Sequence, residues 1–306
     1  MLEIQKGIVL RLRAMLVSFA YLAASVMPAE AALVYAALDD GGLWRIYSQE
    51  NPSSVPRQVS RTVGDASSPC LSWDKRQVAY EVPGAGLRIC SLSAKPDCIT
   101  FDVDDGAAVR PFWDTAGHLL FVHYRAAAEG EDSDLAQLGV DGKGSKPLLL
   151  QTGIQDYPDV SEDGRQLAYT SAQTISLARA GVQVVQQIWV LDLTNGVARQ
   201  LLSGTARDMQ PAWSPSGEQI AFASDRAGDF DIWVVGADGA GLNQLTSGPG
   251  PKTWPAWSPD GESLLFTWFR EGRYELWLMG TDGANLRRFR PEGALSDAPL
   301  RDADWR

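Results

Sequence analysis

Histidine is nearly missing from this chain: His118 and His123 are the two among 306 residues. They lie five apart in "GHLLFVHY", so on a strand they would point to opposite faces and could not share a metal. A serine hydrolase would want a G-x-S-x-G elbow, and the sequence has none. There is no P-loop or G-x-G-x-x-G stretch to cradle a nucleotide. Positive charge is also scarce. With 27 Lys and Arg against 38 Asp and Glu, the net charge is −11. A nucleic-acid partner needs a basic footprint, so that class is excluded. Three cysteines without a C-x-x-C pair, Cys70, Cys90 and Cys98, argue against redox chemistry.

Long apolar runs are scarce too. The one that stands out, "AMLVSFAYLAASV" from Ala14 to Val26, follows Lys6, Arg11 and Arg13. Thirteen helical residues reach about 20 Å, short of the roughly 30 Å of a hydrocarbon core. A basic start, a short apolar stretch and the small-x-small site Ala29-Glu30-Ala31 form a secretory signal peptide. Residues 1–31 are expected to be removed, leaving a mature chain from residue 32 with no membrane span. No cysteine follows the apolar stretch, which disfavours a lipoprotein. In an oxidising compartment Cys90 and Cys98 could close a hairpin-sized loop, leaving Cys70 as a small buried apolar residue.

Turn formers and large aromatics are plentiful: 29 Gly, 17 Pro and 11 Trp. They recur in order. "PAWSPSGEQIAFASDR" begins at Pro211 and "PAWSPDGESLLFTWFR" at Pro255. Weaker copies begin at Pro69, Pro111 and Pro158. The tryptophan slot holds Leu71, Trp113, Val160, Trp213 and Trp257, and a last "ADW" puts Trp305 there. The intervals, 42, 47, 53, 44 and 48 residues, suit one supersecondary unit with variable loops.

Each unit reads as four short strands. The Pro-x-Trp segment is the first, and a tight turn such as "SPDG" (258–261) leads to an apolar second strand. The third strand carries Leu43-Trp44, Ile188-Trp189, Ile232-Trp233 or Leu276-Trp277. Asp-Gly turns such as "GADG" (236–239) supply the positive φ of a hairpin before the fourth. Four strands in 40–45 residues is the signature of a propeller blade. The stretch Leu33–Ser48 lacks a first strand, and "ADW" lacks everything after it. Joined, they complete a sixth blade. The fold class is therefore all-β, a six-bladed β-propeller over residues 32–306, closed by a C-terminal strand. The slot tryptophans, with Trp44, Trp189, Trp233 and Trp277, are expected between blades.

"SDRAGDFDIWVVGADGAGLNQLT" (Ser224 to Thr246) and "PAWSPDGESLLF" followed by "ELWLMGTDGANLRRF" resemble the repeats of TolB-like propellers. The likeness runs over nearly all of 33–306 and is strongest from 205 to 290. It implies a six-bladed fold, a periplasmic location, and a propeller face that in the family binds the peptidoglycan-associated lipoprotein. In TolB itself an α/β domain precedes the propeller. Here the propeller is expected to start directly after the signal segment.

Acidic clusters at Asp39-Asp40, Glu129–Asp134, and Asp225, Asp229 and Asp231 lack the spacing of a calcium-binding EF-hand loop. They read as solvated loops, with calcium on a face or in the central channel as the other reading. In a propeller, loops between second and third strands share a face with loops joining blades. Two long insertions fall there, Tyr124–Asp134 and Ser171–Gln187. The second carries Ile175, Leu177, Val182, Val184 and Val185, and reads equally as a protein contact or as a longer hairpin. Arg110, Tyr157, Met209 and Trp254 lie at blade starts, and Trp268, Arg270 and Tyr274 extend that rim. Arginine and aromatic side chains around a channel mouth are the usual anchors of a protein interface. The expected function is a monomeric, non-catalytic scaffold docking an envelope protein on this face. The other class kept open is an enzyme acting on envelope polysaccharide or peptide at the channel mouth.

Overall fold

The computed structural model describes residues 32–306 except 94–95, 128–129, 140–143, 150, 152 and 178–180, with side chains at 126–131 and 173–183 also left out. The expected signal segment, Glu129, and the side chains of Ile175, Leu177 and Val182 thus lie outside the described residues.

Six four-stranded antiparallel sheets follow one another around a central channel. Blade 1 holds β1 (Leu33–Leu38), β2 (Trp44–Gln49) and β3 (Arg57–Gln58). Blade 2 runs β4 (Ser67–Leu71), β5 (Gln77–Val82), β6 (Gly86–Ser91) and β7 (Cys98–Phe101). Blade 3 is β8 (Ala107–Trp113), β9 (Leu119–Ala127), β10 (Gly130–Leu138) and β11 (Ser145–Leu149). Blade 4 is β12 (Gln155–Val160), β13 (Gln166–Leu177), β14 (Gly181–Asp192) and β15 (Ala198–Gln200). Blade 5 is β16 (Asp208–Trp213), β17 (Gln219–Ser224), β18 (Asp231–Gly236) and β19 (Asn243–Gln244). Blade 6 is β20 (Lys252–Trp257), β21 (Ser263–Arg270), β22 (Arg273–Gly280) and β23 (Arg287–Arg288). The final strand β24 (Leu300–Trp305) pairs with β1 and completes blade 1. Arg306 and Ala32 exchange both backbone hydrogen bonds at the seam. The strand missing from the start of the sequence is supplied by its end.

Proline shapes the innermost strand of each blade. It donates no ladder hydrogen bond, so it belongs on an edge or at a bulge. Every innermost strand has such an edge, toward the channel. The register of each slips at that point, between Ser67 and Cys70, Val109 and Phe112, Asp156 and Asp159, Met209 and Ala212, and Thr253 and Ala256. The residue before each proline is left-handed: Ser68, Arg110, Tyr157, Gln210 and Trp254 have φ between 47° and 57°. Blade 1 has Ala303 in place of proline, yet Asp302 adopts φ 53°, a region that aspartate tolerates better than most residues. Six side chains, one per blade, are thereby turned in one way by the same backbone kink.

The core is an annulus between blades. Val34, Ile46, Val78 and Tyr80 fill the space between blades 1 and 2, and Ile188, Val190, Ile220 and Phe222 that between blades 4 and 5. Tyr35, Tyr80, Tyr169, Phe121, Phe222 and Phe266 are fully buried, one from each blade's second strand. Trp113, Trp213 and Trp257 are buried as expected, and Trp305 packs against the blade 6–blade 1 cluster. Trp44 departs from the expected pattern. Trp189, Trp233 and Trp277 lie opposite Tyr169, Phe222 and Phe266, but it is Tyr47 that lies opposite Tyr35. Trp44 sits three residues earlier, at the start of β2.

The two long insertions are strands. β9 and β10 pair from Ala127↔Gly130 inward, and β13 and β14 from Leu177↔Gly181. Each prolongs its own blade as a hairpin, so the loop expected at Tyr124–Asp134 is not a loop. At the outer edge of blade 2, Cys90 and Cys98 lie directly opposite on β6 and β7 and are joined by a disulfide, while Cys70 is buried. Among the described residues no helix is long and apolar enough to cross a membrane.

Candidate channel site

The innermost strands enclose a cavity of about 320 Å³. Its lining is layered by the strand alternation. Ser68, Arg110, Tyr157, Trp254 and Asp302 come from the kinked positions, nearest the loops that join blades. Two residues further along, Cys70, Phe112, Asp159, Ala212, Ala256 and Asp304 form a second ring. Trp73, Lys75, Glu162, Pro215 and Pro259 line the far end.

Three side chains meet in the first layer. The Arg110 guanidinium lies 4.3 Å from the Tyr157 ring centroid and 5.8 Å from that of Trp254. Tyr157 and Trp254 meet edge to face at 5.3 Å. Arg110 Nε lies 2.5 Å from Asp156 Oδ1, and the Tyr124 hydroxyl donates to Asp156 Oδ2 at 2.9 Å. Burial is the largest single influence on Arg110 and works against its charge, but Asp156, Tyr157, Glu81 and Tyr124 together outweigh it and hold the guanidinium protonated beyond its ordinary range. Burial raises Glu81 above the usual carboxylate range, although the charge and backbone N–H of Arg110 oppose the shift. Asp302 is raised by burial as well, against the pull of Arg301. The mouth thus holds one anchored cation, two aromatic faces and carboxylates whose ionised forms are penalised.

A second charged group closes the other end. The Arg306 guanidinium lies 4.3 Å from the Trp73 ring centroid, with Asp304 Oδ2 at 3.2 Å and Asp159 Oδ1 at 3.8 Å. Both carboxylates also brace the ring. Asp159 Oδ2 accepts from the Trp213 backbone N–H, and Asp304 Oδ2 from that of Leu71, each at 2.7 Å and each in the next blade. Burial pushes Asp159 up to about 6, with Arg306 and the Trp213 N–H opposing. The Cys70 thiol is raised by burial and is no nucleophile.

Of the seven residues expected at the mouth, Arg110, Tyr157 and Trp254 converge on the channel. They sit inside strands, at bulges, and not in connecting loops. Met209 is outside the cavity lining, because its blade brings Gln210 to the kinked position, where the Gln210 side-chain oxygen accepts from Trp254 N at 2.9 Å. Trp268 and Arg270 form a separate group on one face of blade 6, and Tyr274, paired with Phe269, lies on the other. The Trp268 ring lies between Lys252 and Arg270, at 4.9 and 5.0 Å. Tyr274 packs at 5.9 Å against Trp44, and Arg301 lies 4.3 Å over that tryptophan. Trp44 therefore belongs to the rim joining blades 6 and 1.

Sequence reasoning missed Glu81, Asp159, Asp302, Asp304 and Arg306. A signal for two was present: the x of Pro-x-Trp faces the channel, and it is aspartate at 159 and 304. The described acidic clusters are already engaged. Asp39 pairs with Arg45, Asp225 with Arg207, and Asp231 with Lys252. Among the described residues no three His, Cys, Asp or Glu side chains group so as to hold a metal ion. His118 bonds Asp114 at 2.7 Å in a turn, while His123 lies in β9 beside Asp105.

A family profile described as "TolB beta propeller domain" matches residues 107–304. Among solved structures, TolB from Acinetobacter baumannii superimposes with a TM-score of 0.69 at 18% identity, over 90% of this chain and 66% of that one. A putative TolB from Agrobacterium tumefaciens gives 0.66 at 19% identity, over 90% of this chain and 98% of that one. At these identities the likeness speaks to fold. A curated protein of Bacillus subtilis (strain 168), "Uncharacterized peptidase YuxL", is 33% identical over 72 residues, 24% of this chain and 10% of that protein.

Proposed function

Since the chain belongs to the TolB β-propeller family, we propose that it is a periplasmic, non-catalytic scaffold that docks an envelope protein at the channel mouth. The observation that carries this reading is the meeting of Arg110, Tyr157 and Trp254. These are the residue types that dominate protein interfaces, and each stands on a strained backbone position. Left-handed φ at a non-glycine residue costs about 1–3 kcal/mol, a cost kept here at every blade. The same kink brings the side chains of Ser68, Arg110, Tyr157, Trp254 and Asp302 to the channel. A pre-set ring of this kind binds without first ordering itself.

The family resemblance makes the peptidoglycan-associated lipoprotein the first partner to test, with the scaffold acting as a monomer. Calorimetry with that lipoprotein, with and without calcium, checks the proposal. Saturable heat that is lost in Trp254→Ala supports docking at the mouth. Heat in neither buffer would remove this partner and leave an envelope pull-down as the next step.

A catalytic reading draws on the likeness to a protein named a peptidase, which spans 72 residues. On that reading Glu81 or Asp302, each held toward its neutral form, would serve as the acid. Release of product from peptidoglycan fragments by the wild type and not by Glu81→Gln would favour it.

A further inference from the structure

Blade 2 departs from the interblade tryptophan of blades 4, 5 and 6 by placing an arginine there, and a cleft lies beside it. In blades 4, 5 and 6 the residue opposite the buried second-strand aromatic is tryptophan, in the pairs Tyr169↔Trp189, Phe222↔Trp233 and Phe266↔Trp277. Each packs toward the preceding blade. Blade 2 pairs Tyr80 with Arg88 instead. Tyr80 faces blade 1, so Arg88, directly opposite on the same side of the sheet, faces it too.

A second arginine meets it there. The outermost strands align through Gln58, Gln200, Gln244 and Arg288. Three residues on, blades 4, 5 and 6 have Ser203, Ser247 and Pro291, whereas blade 1 has Arg61. Between the two blades lies a cleft of about 190 Å³, lined by Val59, Arg61, Arg88, Pro96 and Cys98. No carboxylate is among the described residues of its lining. Neither arginine has an ion pair among the described residues, although Arg45, Arg110 and Arg226 each hold an aspartate. Arg88 Nε is fully buried and has no acceptor. A buried donor left in that state is costly and calls for a missing partner.

We propose that this cleft binds a tetrahedral oxyanion, phosphate or sulfate in class, through the guanidinium groups of Arg61 and Arg88. Two planar donor forks match the oxygens of such an anion better than point charges do. The disulfide at Cys98, which ties β7 to β6, gives it a fixed outer wall, with Arg61 exposed at its rim and Arg88 half-buried. The anion can be free in solution or the phosphodiester of a lipid headgroup, and the experiment separates these sources.

The test is calorimetric titration of the intact chain with sodium phosphate and sodium sulfate, against sodium chloride at equal ionic strength. Expected is saturable one-site binding, weakened at least tenfold in Arg61→Gln and in Arg88→Gln and unchanged in Arg287→Gln, an exposed arginine of blade 6. Arg88→Trp introduces the residue of blades 4, 5 and 6 and should abolish binding while keeping the fold, which circular dichroism would show. Co-sedimentation with phosphatidylglycerol vesicles that is displaced by free phosphate would make the lipid headgroup the source. Phosphate binding without co-sedimentation would make it the free anion. Absence of saturable heat with both anions, or equal affinity in Arg88→Trp, would overturn the site.

Discussion

Tyr157 and Trp254 touch edge to face, 5.3 Å between ring centroids, although the whole of blade 5 separates their strands along the chain. The contact exists because both follow the same bulge into the channel mouth. Arg110 lies against both rings. Truncating one member of this group should weaken docking by about 2 kcal/mol or more, the size of an interface hot spot, or roughly thirtyfold in Kd. Trp254→Ala and Tyr157→Ala, measured by calorimetry against the docked partner, should show this while circular dichroism stays unchanged. Wild-type affinity in both variants would mean that the partner binds elsewhere.

Asp159 makes stability depend on pH. Its folded pKa of about 6 lies above the unfolded value of about 3.9. The folded state therefore binds this proton more tightly, and the contribution is fully present below about pH 4 and lost as pH rises through 6. Taken alone, the shift amounts to about 3 kcal/mol across that window. Asp159→Asn keeps an acceptor for the Trp213 N–H and should flatten this component of the melting temperature between pH 4 and 7. A variant profile parallel to the wild type would show that other groups carry it.

Lys252 is fully buried, with its ammonium 3.0 Å from Asp231 Oδ1 and also bonded to the Gly248 carbonyl. Asp231 also accepts from Thr246 and Gln244. Replacing the lysine by methionine fills similar space but leaves a buried carboxylate uncompensated. A loss of about 3–5 kcal/mol is expected, read by urea unfolding. A loss under 1 kcal/mol would mean that the hydroxyl and amide donors alone suffice.

The Cys90–Cys98 disulfide closes a short loop at the outer edge of blade 2. In the chain-entropy treatment a loop of this length stabilises by about 2.5 kcal/mol. Cys98→Ser, which leaves Cys90 buried behind Tyr80, should lower stability by that order without changing docking at the mouth. Equal unfolding midpoints in oxidised and reduced protein would refute the contribution.

Ring closure can be tested at the seam, where β24 holds the first strand of blade 1 and Arg306 bonds Ala32. Pairing across this seam joins the two ends of the described chain, from Ala32 to Arg306. Trp305→Gly removes its large, partly buried apolar side chain from the blade 6–blade 1 cluster and should cost about 2–3 kcal/mol, at or below the low end of the range for a fully buried tryptophan. Thermal unfolding reads it directly, and an unchanged midpoint would show that the backbone pairing closes the ring by itself.

Local chemistry wrote the blades into the sequence. The prolines before each slot, the Ser-x-x-Gly turns and the Asp-Gly hairpins act over a few residues, so their period was visible, and so were the six blades and the composite closure. Arg110, Tyr157 and Trp254 were legible for the same reason, standing directly before a proline. Gln210 stands directly before Pro211 as well, so the same rule points to it and not to Met209 for the kinked position of blade 5. What lay across blades was not legible. Trp44 matches the third-strand pattern, yet register gives that place to Tyr47. The joining of Asp159 and Asp304 with Arg306, and of Arg61 with Arg88 in one cleft, depends on contacts between residues far apart in the chain. Burial and charge at such points are set by which blades become neighbours when the ring closes. A one-dimensional repeat fixes the shape of each blade, but only closure in three dimensions decides what stands in the channel.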